Sequence, residues 1–246
     1  MKLAGLSGNG LALSLPMPLL IRGVPANDNY YPIRATLPHR DLLDIMQQEF
    51  DKYSEKELSE TLSRIKKRKV SRNTSKKNSA LALEAGKMLS DPNGPRVAVF
   101  EVEEFDTHAA QGGVHGTHAD CLREYDNILK GLKISLGSAF KDTLILTLTE
   151  FGRTIKQNGG NGTEHGYGTA VLMAGGLIKK SEVHGDWPGL KKKELFQGRD
   201  LKSTMDARSI YASAMSTVFD LDFKRVQKEV FWGEDLQNLS DKLFKS

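Results

Sequence analysis

Two short clusters of this sequence contain side chains that commonly bind divalent metals. The first has Asp106 and His108, separated by one residue in a polar loop. The second has Glu150, directly after an apolar run, and His165, after a glycine-rich stretch. Carboxylate oxygens and imidazole nitrogens suit zinc, manganese or iron. If the clusters meet, the pattern indicates a site in which the four side chains bind one metal or divide between two.

Each residue also has an ordinary structural interpretation. An Asp-X-His triplet is common by chance, Glu150 could cap a following helix or pair with Arg153, and His165 could be a simple loop histidine. Arg153 could bind an anion, because a guanidinium group binds phosphate or sulfate through two parallel hydrogen bonds. Its alternative is a salt bridge to Glu150 or Glu164. Only convergence of the two clusters favours the metal interpretation.

The elements around the clusters predict how they would meet. Residues 97–102 and 143–149 are short, apolar segments typical of buried strands. Between them, apolar residues recur at helical spacing over 121–140, which predicts a long amphipathic helix. A strand–helix–strand unit in one sheet has parallel strands and a right-handed connection. Asp106 and Glu150 would then leave the same sheet edge, where ligands gather in open α/β sheets.

The remaining elements follow from the same periodicities. Helical spacing predicts helices from about residue 39 to 50, 55 to 67, 81 to 89 and 206 to 219, and apolar runs predict strands at 11–15, 19–21 and 169–173. The tail from Leu221 is amphipathic without a clear pattern. The length permits one large core and nothing in the composition divides it, so the chain is predicted to be a single α/β domain over 1–246.

The net charge of +4 is unevenly distributed along the chain. Residues 64–77 form a basic segment with eight Lys or Arg and no acidic residue. The rest of the chain is therefore net −4, the +4 total less these eight positive charges. The segment lacks the interleaved aromatic residues of many nucleic-acid sites, so a solvated surface segment is favoured and no nucleic-acid partner is expected.

Targeting signals and cysteine content say little about the compartment of the protein. No apolar run approaches the ~20 residues that cross a bilayer, so no transmembrane segment is predicted. Within residues 1–26, a single positive charge, Lys2, precedes the apolar part, and early glycines and two prolines within that part make a poor secretion signal. The single cysteine, Cys121, excludes an internal disulfide, and its helical pattern predicts a small core residue.

Five motifs occur in order along the chain. They are Phe105–Gln111, Thr149–Thr154, Asn158–Gly159, Gly162–Gly166 and Gly185–Leu190. In order and spacing they resemble the bacterial domain of unknown function 1501 family, which is placed with the alkaline phosphatase and sulfatase-like superfamily. The resemblance is densest from about residue 95 to 220, and several motifs together are far more specific than any one alone.

The resemblance implies a three-layer α/β/α sandwich with a mainly parallel sheet and a divalent-metal site at the strand ends. Asp106, His108, Glu150 and His165 match the metal-binding positions, with Glu150 standing where many relatives have Asp. Glu164 likewise stands where the family usually has Asp. The implied reaction is hydrolysis of phosphate or sulfate esters, with a small molecule or glycan as substrate. Family members are often exported.

The resemblance also implies that part of the machinery is missing. Members are normally longer, and residues 1–38 resemble the middle of such a protein. No residue matches the superfamily's nucleophile motif. The sequence therefore supports two hypotheses: a metal-dependent hydrolase-like domain, or a truncated, catalytically inactive binding or interaction domain of the same fold. The oligomeric state is not predicted.

Overall fold

The computed structural model describes residues 10–13, 28–30, 40–53, 56, 59–60, 62–63 and 78–245. They belong to two compact units, one formed by residues 31–76 and the other by residues 1–30 together with 77–246. The strand predicted at 19–21 and the basic segment 64–77 lie outside the described residues.

The smaller unit contains helix α1, Arg40–Lys52, at the position predicted from its apolar spacing. Beyond it, the described residues from 56 to 63 are helical, in agreement with the predicted second helix. Polar contacts join the two: the Gln47 side chain donates to Ser59 Oγ at 2.5 Å, and Ser59 Oγ donates to Asp51. Leu43 and Leu62 are the buried apolar side chains among these residues.

The larger unit alternates short strands with helices. In chain order its elements are β1 Gly10–Leu13, β2 Asp28–Tyr30, α2 Asn78–Ser90, β3 Val97–Phe100, α3 Thr117–Leu136, a 3₁₀ helix Gly137–Asp142, β4 Ile145–Thr147, β5 Gly152–Arg153, β6 His165–Gly166, β7 Leu172–Ala174, a 3₁₀ helix Lys192–Glu194, α4 Ala207–Val218, α5 Phe223–Val230 and α6 Ser240–Leu243. The strands predicted near 11, 97, 145 and 172 are thus present, and α5 and α6 occupy the tail whose sequence showed no clear pattern.

Three strands form a parallel sheet in the order β2-β1-β3. Leu11 of β1 pairs with Asp28 on one side and with Ala98 on the other. All four residues of β1 are buried, which is typical of a central parallel strand covered on both faces.

Strand β4 does not continue this parallel sheet among the described residues. It pairs antiparallel with β7, and Leu146 lies opposite Met173. No hydrogen-bonded pairing joins β3 to β4 among the described residues, and the parallel unit predicted from the strands at 97–102 and 143–149 stays a prediction. The connection between β4 and β7 doubles back through β5 and β6, which brings β7 alongside β4 in the opposite direction. The complete three-layer sandwich stays a prediction.

Helices α2 and α3 pack on each other and on the face of β1 that carries Leu11 and Leu13. Their shared core consists of Leu11, Leu13, Ala82, Ala85, Ile128, Leu132 and Leu136. The helices approach closely at Gly86, where an added Cβ would lie 1.9 Å from Ser135 Oγ. Burying each large aliphatic side chain stabilises the fold by about 1.5–3 kcal/mol, so this helix pair is a firm support for the loops that leave β3.

Strand β4 has apolar neighbours on both of its faces. Ile145 packs against the α2–α3 core, while Leu144 and Leu146 pack against a second cluster. That second cluster is formed by Ala214, Leu239, Leu243 and Phe244. Because successive residues of a strand point to opposite faces, β4 packs between two apolar clusters, and the segment that follows it begins from a well-anchored position.

Helix α3 carries Cys121, which is 7% exposed, so the prediction of a small core residue is confirmed. Its Sγ contacts the carbonyl oxygen of Glu104 at 3.4 Å. Burial raises the pKa of the Cys121 thiol, and the negative charges of Glu104 and Asp120 raise it further. Within the described part of the chain, α3 and the other helices are too short or too polar to span a bilayer.

Candidate metal centre

Asp106, His108 and His165 come together at the surface of the larger unit. One ligand atom of each lies within 4.8 Å of the others. The two Nε2 atoms of His108 and His165 are 3.1 Å apart, and Asp106 Oδ1 is 3.1 Å from each of them. All three residues are exposed. Three of the four metal ligands predicted from the sequence are therefore neighbours in the structure.

Backbone hydrogen bonds between two loops create this proximity. Strands β5 and β6 pair antiparallel, with Arg153 opposite His165. The loop at 105–111 joins the loop at 158–163 through Ala110 N to Gly160 O at 2.9 Å and Thr163 N to Thr107 O at 3.1 Å. His108 thus reaches His165 by a direct loop-to-loop contact. The sequence predicted that parallel strands would bring them together at one sheet edge, whereas the contacts observed are between the two loops.

The loop contact depends on a residue without a side chain at position 162. A Cβ added to Gly162 would lie 2.3 Å from the carbonyl carbon of His108. By contrast, a Cβ on Gly159, three residues earlier, would meet nothing within 4 Å. Of these two residues, only Gly162 must be a glycine for the close approach of the two loops.

Arg153 pairs with Asp106. Its Nη1 donates to Asp106 Oδ1, its Nε donates to Thr163 Oγ1 at 2.9 Å, and its Nη2 donates to the Thr163 carbonyl oxygen. Desolvation acts to raise the pKa of Asp106, but hydrogen bonds from His165 and Arg153 outweigh it, so the pKa lies below its ordinary value. Asp106 is consequently an anion at neutral pH, held in one orientation by Arg153.

The sequence pattern proposed a different partner for Arg153. The salt bridge considered there joined Arg153 to Glu150 or Glu164, whereas the carboxylate that it binds is Asp106. Because the guanidinium is only 20% exposed and already bonded to Asp106 and Thr163, its main contact is within the protein. Binding of an anionic ligand by Arg153 stays a prediction.

Two further contacts stiffen the centre. Gln111 Oε1 accepts from the hydroxyls of Thr107 and Thr163, at 2.9 and 2.8 Å, and so ties the two loops together with side chains. The ring of Phe151 stacks on that of His165, with centroids 3.9 Å apart and an interplanar angle of 16°. These contacts limit the rotation of His165 and the separation of the loops.

Glu164 and Asn158 are also part of the network, which spacing alone does not reveal. Glu164 Oε2 lies 3.2 Å from His108 Nδ1, and Asn158 Nδ2 donates to Glu164 Oε1. The signal that could have found them is position: Glu164 precedes His165, and Asn158 lies in the glycine-rich loop that meets His108.

Glu150 is not part of the converging group. It is exposed, and none of its oxygens belongs to the set of atoms that Asp106, His108 and His165 bring together. The sequence placed it beside them through the predicted parallel strands, and no pairing of β3 with β4 is present among the described residues. Its role as a metal ligand stays a prediction.

The donor set fits a divalent metal ion of the zinc, manganese or iron type. One ionised carboxylate and two imidazole nitrogens are ligands that such ions share. Three protein ligands with a remaining open position are the usual arrangement of catalytic zinc. The two Nε2 atoms face each other and the carboxylate, so a small cation that displaced the proton His165 shares with Asp106 would be bound by lone pairs from three directions.

Comparisons with known proteins bear on the family. The family described as "Protein of unknown function (DUF1501)" matches the chain over residues 39–230. Curated proteins and solved structures yielded no match. The matched region includes both loops of the candidate centre and extends over most of the chain. The protein therefore belongs to the DUF1501 family.

Proposed function

We propose that this protein binds a divalent metal, zinc, manganese or iron, through Asp106, His108 and His165, and that the site belongs to a hydrolase of phosphate or sulfate esters. The observation that carries the proposal is the convergence of two imidazole Nε2 atoms on one carboxylate. Glu150 is proposed as a further ligand from the motif match alone. An alkaline-phosphatase-like α/β/α fold belongs to the same proposal.

Each residue of the centre has a separate proposed role. Asp106 supplies negative charge, and Arg153 orients it through the Nη1 bond. Arg153 also leaves the exposed site less negative than its carboxylates alone would make it, which favours an anionic ester. A bound metal would supply Lewis-acid stabilisation of charge on the transferred group. Phe151 keeps the His165 ring in the plane that aims Nε2 at Asp106.

The first experiment measures metal content. Purified protein is stripped with a chelator, reconstituted separately with zinc, manganese and iron(II), desalted, and analysed by elemental mass spectrometry. We expect a stoichiometric ion in the wild type and its loss in Asp106→Asn and His165→Ala. Circular dichroism of each variant checks that the fold is intact. A wild type that retains no metal under any of these conditions would show that the centre is assigned wrongly.

A second candidate, a metal-binding domain without turnover, is favoured by one observation. Within the described network, the hydroxyls of Thr107 and Thr163 both donate to Gln111, and that of Thr154 donates to the carbonyl oxygen of Lys156. None of the three is therefore poised as a nucleophile. Metal-loaded protein should be assayed with aryl phosphates and aryl sulfates. Hydrolysis that disappears with the metal supports the hydrolase, whereas bound metal without hydrolysis supports the binding domain.

A further inference from the structure

An exposed pair of stacked aromatic rings lies close to the candidate metal centre. Tyr167 is the second residue after His165, so the Cα atoms of the two residues are no more than about 7 Å apart. The Tyr167 ring stacks on that of Phe196, with centroids 4.4 Å apart and an interplanar angle of 21°. Tyr167 is nevertheless 60% exposed. An exposure this large, with one face of the ring already covered, leaves the other face open to a ligand.

The backbone on both sides of Tyr167 is fixed. Gly166, before it, pairs with Gly152 in the β5–β6 ladder. Gly168, after it, donates its N–H to the carbonyl oxygen of Leu201 at 2.9 Å, and an added Cβ there would lie 2.5 Å from the same oxygen. The strand pair that carries the candidate centre therefore also sets the position of this exposed ring.

The turn after Phe196 holds the second ring of the pair. Phe196 N donates to the carbonyl oxygen of Asp200 at 2.9 Å, and Asp200 N donates back at 3.1 Å. The Asp200 side chain is 1% exposed, and its two oxygens accept from Arg199 at 2.7 and 2.8 Å. Asp200 also pairs antiparallel with Thr154, next to β5. The stacked pair is thus ordered before a ligand arrives, which reduces the entropy cost of binding.

The segment that contains Phe196 has an excess of positive charge. Residues 189–202 include five Lys or Arg and two acidic residues. Both acidic side chains are already engaged within the segment: Asp200 binds Arg199, and Glu194 Oε2 accepts from the backbone N–H of Lys191 at 2.9 Å. The excess positive charge favours a ligand that is negatively charged.

Lys192 brings one of these charges to the turn itself. A Cβ added to Gly198, two residues after Phe196, would lie 3.4 Å from Lys192 Cγ. Lys192 is exposed, and no acidic side chain within the described part of the chain forms an ion pair with it. An open aromatic face and an unpaired ammonium group therefore belong to one small region of the surface.

We propose that Tyr167 and Phe196 form a ligand subsite that stacks the planar ring of an aromatic phosphate or sulfate ester, with the charged group of the ester at the candidate metal centre. The position of the charged group rests on the proposed function. Aromatic rings prefer offset-stacked or edge-to-face contacts, and the near-parallel Tyr167–Phe196 pair is an arrangement that a third ring extends. The short distance along the chain to His165 places the ring and the charged group of one small ester side by side.

The first measurement requires neither bound metal nor turnover. Carbon-13 NMR of the tyrosine rings follows the six tyrosines of the chain, and the spectrum of Tyr167→Phe assigns the signal of Tyr167. Three phosphate esters are added in turn: phenyl phosphate, ethyl phosphate, which has no ring, and a glucose phosphate, whose ring is not planar. We expect phenyl phosphate alone to shift the Tyr167 signal, because only its ring has a π face.

Two results of this titration would overturn the subsite. One is equal shifts of the Tyr167 signal by all three esters, which would mean that a planar ring is not what the surface selects. The other is no shift of the signal by phenyl phosphate in both metal-stripped and zinc-reconstituted protein.

The second measurement is the dissociation constant of each ester, obtained by calorimetric titration of metal-stripped and zinc-reconstituted protein. We expect Tyr167→Leu to bind phenyl phosphate about 2- to 10-fold more weakly, the usual size of one aromatic pair, and to bind ethyl phosphate as the wild type does. The matched control Tyr167→Phe retains the ring and should bind phenyl phosphate with unchanged affinity. Trp232→Leu removes another exposed aromatic side chain, 89% exposed and beyond α5, and should also change nothing.

The outcomes separate this inference from the proposed function. A wild type that retains no metal, but whose Tyr167 signal responds to phenyl phosphate alone, contradicts the metal site and supports the subsite. Metal bound at the centre, with phenyl phosphate bound equally well by the wild type and Tyr167→Leu, overturns the subsite and leaves the metal site intact. If Tyr167→Leu does not fold, Tyr167→Met supplies the same comparison with an unbranched side chain.

Discussion

Two groups of opposite charges on this protein look similar in composition and differ in what they can bind. One is the candidate metal centre, in which Arg153 meets Asp106 beside His108 and His165. The other lies at the start of α4, where Arg208 joins Asp206 to Glu234. Both are at the surface, and both contain an arginine fixed by carboxylates.

At the start of α4 the donors and acceptors are matched. Asp206 caps the helix by accepting from Arg208 N at 2.9 Å, and it accepts again from the Arg208 guanidinium at 2.7 Å. Hydrogen bonds from Arg208 lower the pKa of Asp206, and those to Asp206 and Glu234 raise the pKa of Arg208. Such a group stabilises a helix end and has no convergent lone pairs for a cation.

The candidate metal centre differs in the atoms that face each other. Two imidazole nitrogens lie 3.1 Å apart, and each lies 3.1 Å from Asp106 Oδ1, so three atoms of types that bind metals face one position. The comparison teaches that charge and residue type do not identify a metal site. What distinguishes the candidate metal centre is the convergence of ligand atoms on one position, and that convergence is visible only when side-chain geometry is known.

The largest effect should separate the two groups by metal content. His165→Ala removes one of the convergent nitrogens and should abolish stoichiometric zinc, whereas Asp206→Ala should leave it unchanged. Elemental analysis after desalting measures both. Equal loss of zinc in the two variants would mean that unfolding, and not ligand removal, is responsible.

A smaller effect is expected from substituting Gly162, one of the three glycines of the 158–163 loop. Gly162→Ala forces a Cβ against the carbonyl carbon of His108 at 2.3 Å, so the loops must separate. We expect about tenfold weaker zinc binding, by analogy with loss of an outer contact, and a loss of about 1–3 kcal/mol in the free energy of unfolding. The matched control Gly159→Ala has open space and should change neither. Chelator competition and denaturant unfolding measure the two effects, and identical behaviour of the pair would contradict the loop contact.

Removal of the α4 cap should affect stability alone. Asp206→Ala is expected to reduce the free energy of unfolding by about 0.5–2 kcal/mol, the usual cost of losing an N-cap. Because the pKa of Asp206 is lowered in the folded state, its stabilisation is complete above the unfolded pKa and is lost as pH falls through the folded pKa. The difference between wild type and variant, measured by urea unfolding, should therefore shrink in acid. A difference that grows in acid would contradict this assignment.

The smallest effect is expected from Glu234→Gln. This carboxylate contributes one exposed ion pair to Arg208, at 3.3 Å, while Asp206 retains the two-pronged contact. Exposed pairs of this kind contribute little and are screened by salt. Thermal unfolding at low and high ionic strength should show a smaller shift than Asp206→Ala, and it should vanish at high salt. A shift as large as that of Asp206→Ala would reverse the ranking of the two contacts.

Much of the architecture follows from periodicity. The stripe that begins at Cys121 predicted α3, and the apolar runs predicted β1, β3, β4 and β7 to within a few residues. Periodicity describes which face of an element is buried but not which element lies beside it. The antiparallel pairing of β4 with β7 depends on how the connection between them folds back, and no local pattern encodes that.

The candidate site was predicted in part, and the contacts that bring its residues together were not among those predicted. Asp106, His108 and His165 do converge, but contacts between the 105–111 and 158–163 loops bring them together. Glu150 entered the prediction because a parallel unit would have placed it at the same edge. Roles for Glu164, Asn158 and Gln111 depend on side-chain direction and hydrogen-bond partners, which spacing cannot supply.

The burial of Cys121 makes the protein convenient for chemical labelling. It is the only cysteine of the sequence, it lies within the α3 packing at 7% exposure, and its raised pKa keeps it in the unreactive thiol form at neutral pH. Maleimide reagents should therefore leave the wild type unmodified. A cysteine introduced by Gly159→Cys, where nothing lies within 4 Å of the new Cβ, would carry a single fluorophore beside the candidate centre and report on ligand arrival in real time.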